Sequence, residues 1–425
     1  MFYKRLLVLG LFLGTYIGVW AQNNPDKTYD TAIHTILIHP LNQPLAVPAI
    51  ELNATHPLQI SFDDFKASYQ DYYYSIELMN ADWTTTNMNA FDYVQGFNQI
   101  KINDFSVSSI AFQHYFHYQF NFPNTHLKPT RSGNYILKVY KNGNSNELVF
   151  TKRFYVMEHL IGIAASVKEP FDGNISKTHQ KIVVQLDVKQ IPSLQSDQLQ
   201  LLVVQNYRYN DGIKLTTPNF IRGNILEYSQ EDQLVFPSGK ECRWLNLQSM
   251  QLVSDRISKF QKIGNDNYVF LKPDGSRAEM AYSTFNDLNG NYLISNTDAL
   301  QSETQNDYAH VSFTYIPKDH IPLVGQKLYL QGALTNNELN EHAEMVFDPK
   351  TGVYQKTLVL KQGYYSYNYI TRDTHDPNTL DDFTETEGNH WETENDYTIF
   401  VYYRLPGGQH DSLLGFTTIN SKQSW

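Results

Sequence analysis

The fold is decided by residues 116–156, which read FHYQFNFPNTHLKPTRSGNYILKVYKNGNSNELVFTKRFYV. Aromatic rings occupy every second position of 116–122, the period of a strand with one buried face, and Pro123 ends the run. Two further alternating runs follow, and Asn142 with Gly143 between them forms a typical hairpin loop. The segment therefore predicts three neighbouring strands, the first of them half-buried.

The rest of the chain extends this pattern. Its 425 residues are 14% aromatic, with 30 Tyr and 24 Phe, and such rings favour strands. A chain of this length is too long for a single core, and turn-rich stretches separate the alternating runs into three units. We predict an all-β protein of three consecutive immunoglobulin-like or fibronectin-like β-sandwich domains after a cleaved signal peptide, with boundaries at 22–157, 158–317 and 318–425.

The first residues indicate export. Residues 1–21 combine Lys4 and Arg5 with an apolar run and end on Ala21, which are the features of a cleaved secretory signal. No later run reaches the roughly 18 apolar residues that a spanning helix needs, so we predict no membrane span. Cys242 is the only cysteine, which excludes an intrachain disulfide and indicates a small buried residue.

Charge and motifs argue against several classes of function. The formal net charge of -11 repels phosphate backbones, so no nucleic-acid partner is expected. His114 and His117 lie three apart in a strand and point to opposite faces, and residues 287–291 are explained by turn chemistry rather than a calcium site. Four carboxylates are predicted to be solvated surface: Asp381, Asp382, Glu385 and Glu387. We predict no catalytic residues, cofactor, metal or small-molecule substrate.

Short motifs in the first unit resemble the family of type IX secretion system plug proteins. These motifs are NADW at 80–83, YVQGF at 93–97, HYQFNFPN at 117–124, SGNY at 132–135, VY at 139–140 and RFYV at 153–156. The similarity continues at HQ 179–180, QN 205–206, DG 274–275, EGN 387–389 and TENDY 393–397. It covers nearly all of the chain that follows the predicted signal.

This resemblance implies a periplasmic, non-enzymatic protein, held at the outer membrane by protein contacts. Such a protein seats against the periplasmic mouth of the outer-membrane translocon barrel and keeps the pore closed. Trp83, Tyr93 and Phe97 are candidate contact residues, because a ring-rich segment flanked by turn residues can anchor an interface. The alternative interpretation of these three rings is that they belong to the core.

The third unit separately resembles the early-set immunoglobulin modules that bind glycogen-type glucans. The resemblance lies in YLQGALTN at 329–336 and GYYSY at 363–367, although Asn337 stands where these modules commonly have a tryptophan. It implies a shared fold, and it leaves open a second hypothesis, an exported carbohydrate-binding protein. The rings that would then contact sugar are Tyr365, Tyr367 and Trp391.

Overall fold

The regular secondary structure of the protein is almost entirely β-strand, as the sequence predicted. The computed structural model describes residues 25–66, 68–191, 196–298, 302–374 and 383–424. The predicted signal peptide at 1–21 lies outside these residues. Within the described ranges, no helix is long and apolar enough to cross a membrane.

The secondary-structure elements follow each other in this order. The first group is β1 (Lys27–Thr28), β2 (Ile33–Pro40), β3 (Ala49–Glu51), β4 (Leu58–Asp64), β5 (Tyr72–Met79), α1 (Ala90–Tyr93), β6 (Val94–Gly96), β7 (Ile100–Lys101), β8 (Phe105–Val107), β9 (Phe116–Phe122), β10 (Leu127–Pro129), β11 (Gly133–Lys141) and β12 (Leu148–Met157). The second is β13 (Gly162–Lys168), β14 (His179–Asp187), β15 (Leu199–Gln205), β16 (Ile213–Leu215), β17 (Phe220–Arg222), β18 (Ile225–Tyr228) and β19 (Val235–Pro237).

The remaining elements complete the chain. They are β20 (Arg243–Asn246), β21 (Ile257–Ile263), β22 (Asp266–Leu271), β23 (Asp274–Gly275), β24 (Tyr292–Ile294), α2 (Ser302–Gln305), β25 (Tyr308–Ile316), β26 (Gln326–Gln331), β27 (Val346–Asp348), β28 (Val353–Lys361), β29 (Gly363–Asp373), β30 (Asp396–Tyr403) and β31 (Ser412–Asn420). Single-turn 3-10 helices lie at Ser196–Gln198, Tyr209–Asp211, Lys318–His320, Ala333–Thr335 and Ser421–Ser424.

Strands β1 to β12 form the N-terminal domain, a sandwich of two sheets with β6 and β10 paired separately. One sheet has the order β1-β12-β11-β5-β7 with β3 beside β12, and the other has the order β2-β4-β9-β8. The alternating rings of β9 point into the core between them, where Tyr118 stacks on Phe62 at 5.1 Å between ring centroids. Phe122 is also buried, and Phe116 and Phe120 pack against the same core.

The last two strands do not belong to the unit that precedes them in sequence. β30 pairs antiparallel with β15 along its whole length, from Leu199 opposite Tyr403 to Gln205 opposite Tyr397. β31 pairs with β30, so the sheet order is β16-β15-β30-β31, and it packs on the sheet β13-β14-β18-β17. These strands share one core and form the middle domain, whose sequence is discontinuous.

Strands β20 to β29 form a third sandwich, the inserted domain, with a core of its own. The predicted boundary between residues 317 and 318 is therefore wrong, because it separates strands of one sheet. β25, which lies before that boundary, pairs antiparallel with β28 and parallel with β22. Alternation in sequence is visible in β25, at Val311, Phe313 and Tyr315, but it carries no information about which distant strand completes a sheet.

The chain enters and leaves the inserted domain through a buried cluster of ions. Arg243 donates through Nε to Glu387 at 2.9 Å and through Nη1 to Asp274 at 2.7 Å, and all three side chains are at most 5% exposed. Arg277 donates to the second carboxylate oxygen of Glu387 at 2.6 Å. Arg243 begins the first strand of the inserted domain, and Glu387 lies on the segment that leads from this domain back to the middle domain. The cluster therefore links the segment that enters the domain to the segment that leaves it.

A second buried cluster joins the N-terminal domain to the inserted domain. The carboxylate of Asp63 on β4 accepts hydrogen bonds from His117 Nδ1 at 2.6 Å, from Lys361 Nζ at 2.6 Å and from the Tyr308 hydroxyl. Lys361 also donates to the backbone oxygen of Glu303 at 2.9 Å. The polar face of β9, which was expected to be half-exposed, is therefore covered at His117 by the inserted domain.

The N-terminal domain also packs on the middle domain. The rings of Tyr155 and Phe400 lie 4.7 Å apart between centroids in a small apolar cluster at this contact. Beside it, the Tyr402 hydroxyl donates to the side-chain oxygen of Asn134 at 2.8 Å, and both residues are buried. The N-terminal domain thus contacts both other domains.

Replacing Glu387 by Gln should strongly destabilise the protein. The change removes the negative charge that faces Arg243 and Arg277, and breaking a buried ion pair costs about 3–5 kcal/mol. The free energy of unfolding in urea measures the loss. The matched control is Glu344→Gln, which breaks the exposed pair with Lys327 and should change the stability little. Equal losses in both variants would contradict this role of the cluster.

Asp63→Asn should lower the stability at neutral pH. It should also make the stability less sensitive to a fall in pH. Burial raises the pKa of Asp63, but the charges of Lys361 and His117 outweigh burial and hold the pKa below its usual value. The stabilisation is therefore present above the unfolded pKa of about 3.9 and is lost as the pH falls through the lower folded value. The melting temperatures of the unchanged protein and of Asp63→Asn should converge as the pH falls from neutral into the acid range. A difference that stays constant with pH would contradict the prediction.

Candidate partner interface

The three rings predicted from the sequence lie in different environments. Tyr93 is 5% exposed and packs in the N-terminal core, so it offers no area to a partner. Trp83 is partly buried at the contact with the middle domain, where its ring meets Tyr155 edge-on at 5.7 Å. Phe97 is 63% exposed beside His126. Of the three, Phe97 is the ring that remains available for a contact, and the fold does not bring them together.

A larger apolar surface lies along the outer edge of β8. We call it the edge surface, and it consists of Tyr69, Phe105, Val107, Ile110 and Phe112. Ile110 is 74% exposed and Val107 is 55% exposed, and the rings of Tyr69 and Phe105 lie 4.8 Å apart. Contiguous exposed apolar area is uncommon on monomeric proteins and often marks a contact site.

The backbone beneath the edge surface is held in place by the inserted domain. Asp307, which precedes β25, accepts hydrogen bonds from the backbone N–H groups of Phe112 at 3.1 Å and Gln113 at 3.2 Å. The N–H of Ser109 donates to the backbone oxygen of Thr304 at 2.9 Å. The exposed side chains are thus presented on a loop whose main chain is fixed, which lowers the entropy lost on binding.

Charge at the rim of the edge surface comes from both domains. Lys262, on the strand β21 of the inserted domain, lies over the ring of Phe112. Lys101 pairs with Asp71 at 2.7 Å at the opposite end, where Asp71 also accepts the hydroxyl proton of Tyr69. An apolar centre with a polar rim is the usual anatomy of a protein interface.

Sequence reasoning missed the edge surface. Alternation at Phe105 and Val107 indicates a short strand, and a strand with apolar residues on one face is normally assumed to bury them. In the fold, β8 is the last strand of its sheet, and its side chains remain exposed. The one feature of the sequence that could have indicated this surface is the stretch without charged residues around Ile110 and Phe112. No motif in that stretch identifies it as part of an interface.

The residues considered for chemistry have structural roles. Cys242 is buried, as predicted, and burial raises the pKa of its thiol well above the usual value. Asp287 accepts the N–H of Asn289 at 2.7 Å, which is the turn contact that the sequence predicted. Among the residues that the structure describes, no group of three or more His, Cys, Asp or Glu side chains could hold a metal ion.

Of the four carboxylates between residues 381 and 387 that were predicted to be solvated, the structure describes two, and only one of these is exposed. Glu385 is exposed, whereas Glu387 is fully buried in its ion cluster, and the prediction for Glu387 was wrong. Two arginines far away in sequence neutralise it, so its polar sequence surroundings were no guide to its burial. Asp381 and Asp382 lie outside the described residues.

The tyrosines considered for sugar binding are core residues. Tyr365 is 2% exposed and Tyr367 is fully buried, and the hydroxyl of Tyr367 donates to Asp274. Trp391 is partly buried against the core of the middle domain, a different domain from the two tyrosines. These three rings do not form a flat platform on one surface, which stacking on a sugar would require.

Comparisons with known proteins agree with this architecture. Residues 33–158 match the family model described as "Type 9 secretion system plug protein 1st domain". The chain is similar to the crystal structure of a hypothetical protein from Parabacteroides merdae ATCC 43184, with a TM-score of 0.89 and 29% sequence identity over 93% of this chain and 98% of that one. A search among curated proteins found no match. The resemblance inferred from the sequence is thus confirmed over residues 33–158, which match the first domain of type 9 secretion system plug proteins.

Proposed function

We propose that this protein closes the periplasmic mouth of an outer-membrane translocon barrel of the type 9 secretion system, without catalysing a reaction. The observation that carries the proposal is the plug-protein domain at residues 33–158, which gives the chain a role associated with type 9 secretion and a place in the periplasm or at the outer membrane. Closing the barrel is the more specific step, and the physical properties of the three domains support it.

The first supporting property is stiffness. A pore wide enough for folded proteins leaks solutes unless a protein of comparable width covers it. The domains of that protein must not move apart. Here the N-terminal domain is joined to the inserted domain by the Asp63 cluster and to the middle domain by the contact around Tyr155. Opening the Asp63 cluster would break a buried ion pair, which favours one arrangement of these domains.

The second supporting property is the edge surface, which we propose as the contact with the barrel, together with Phe97. The surface belongs to the domain that matches the plug family, and it is apolar at the centre with charge at the rim. A moderate interface of this composition allows reversible binding, since affinity depends on a few well-packed anchors rather than on total area.

The contact is tested with the double variant Ile110→Ser and Phe112→Ser. We expect its co-purification with the barrel from solubilised outer membranes to fall about tenfold or more, because exposed apolar anchors carry most of the binding energy. The matched control is Phe171→Ser with Phe220→Ser, two exposed rings of the middle domain that should not affect binding. Unchanged melting temperatures exclude misfolding. Equal recovery of both variants with the barrel would contradict the assignment of this surface.

Closure of the pore is tested in cells. Cells that lack this protein but retain an idle translocon should become permeable to vancomycin, a solute too large for ordinary porins. Cells that lack both proteins should be as resistant as the parent strain. A tight envelope in the first strain would contradict the proposed function, and leakage in both strains would assign the defect to something other than the open barrel.

A further inference from the structure

A groove runs along the free edge of β2, between the N-terminal domain and the other two domains. Its larger part has a volume of about 690 Å³ and is lined by Ile33, His34, Thr35 and Ile36. The adjoining part, about 140 Å³, is lined by the next residues of the strand as far as His39. Successive side chains of a strand point to opposite faces, so a cavity lined by consecutive residues lies beside the strand's edge.

The edge that faces the groove has no neighbouring strand. β2 is the first strand of the order β2-β4-β9-β8, so β4 occupies one side, and no strand of the described chain pairs with the other. The ladder to β4 shifts between His34 and Leu37, where Thr35 adopts a φ of 48°. Beyond this bulge the strand is regular as far as Pro40, and an unpaired edge of this kind is a template for another strand.

The walls of the groove come from all three domains. Tyr207 and Tyr209 of the middle domain line its narrow part, with Ala333 and Asn336 of the inserted domain opposite. Residues Ile33 to His39 span about 20 Å at the rise of a strand, which is the length of six to seven residues of an extended chain. The two parts of the groove thus follow one another along β2.

Charged side chains of both signs line the groove, among them Lys152 and Arg153 and the carboxylates of Asp26 and Glu338. Lys152 lines the narrow part and is partly buried, and its ammonium donates to the side-chain oxygen of Asn336 at 2.7 Å. Asp26, which lines the same wall, is engaged by Arg153 at 2.7 Å. No carboxylate of the described residues lies within ion-pair distance of Lys152. Burial lowers the pKa of this lysine, and the more distant charges of Asp26 and Glu338 only partly offset that effect. A carboxylate from a ligand would complete its coordination.

We propose that this groove binds an extended acidic peptide segment, which adds as a strand to the free edge of β2 and places a carboxylate on Lys152. Main-chain hydrogen bonds to the edge supply affinity, and the lysine supplies the preference for an acidic residue. In a protein of net charge -11, such a local cation selects an acidic segment against the overall field. The site is separate from the edge surface, so the proposal does not depend on closure of the barrel.

The probe is a displayed library of random octapeptides, selected on the immobilised full chain. We expect enriched sequences to carry an Asp or Glu among apolar or β-branched residues. A synthetic copy of an enriched peptide should bind Lys152→Met about tenfold more weakly than the unchanged protein, as expected for the loss of a charge-assisted hydrogen bond. The matched control is Lys177→Met, at an exposed lysine of the middle domain, which should bind as the unchanged protein does.

Backbone methylation distinguishes strand addition from other modes of binding. Only every second N–H group of an added strand faces β2. N-methylation of the peptide residues whose N–H groups face β2 should therefore abolish binding, and N-methylation of the residues between them should not. Equal effects at both sets of residues would overturn strand addition. Enrichment without acidic residues, equal losses in the two lysine variants or no enrichment at all would overturn the proposal.

Discussion

The fold depends on one long-range pairing, that of β15 with β30. Nearly 200 residues separate the two strands, and the pairing encloses the whole inserted domain between them. Without β30, one edge of β15 would lack its neighbouring strand. The core of the middle domain would then be exposed along that side. The ion cluster of Arg243 and Glu387 lies where the chain crosses between the domains, and it fixes the geometry that brings β30 back to β15.

Local features of this architecture follow from the sequence, whereas distant partners do not. The period of two at 116–122 was sufficient to predict β9 and the burial of its rings, because alternation is a property of the strand itself. The same period could not show that His117, on the opposite face, is covered by Tyr308 and Lys361 of a domain that follows much later in the chain. Burial of a polar side chain depends on tertiary partners that a single sequence does not name.

The same distinction holds for the candidate site. Phe97 and the residues of the edge surface are ordinary apolar residues in sequence, and only the fold leaves them exposed, as where β8 is the last strand of its sheet. Tyr93 is apolar and ring-bearing as well, yet it lies in the core a few residues from Phe97. The family resemblance was readable from short motifs because turn residues and rings at fixed spacing are local, while the surface that meets a partner is a property of the assembled domains.

The anchoring of the loop at residues 108–115 has a mechanical consequence. Asp307 binds the backbone of this loop and immediately precedes β25, which lies between β22 and β28 in the interior of its sheet. A pulling force on the loop is therefore passed directly to a central strand, which resists as part of a full ladder of hydrogen bonds on both sides. Tension from outside therefore acts on a strand that is hydrogen-bonded to neighbours on both of its sides.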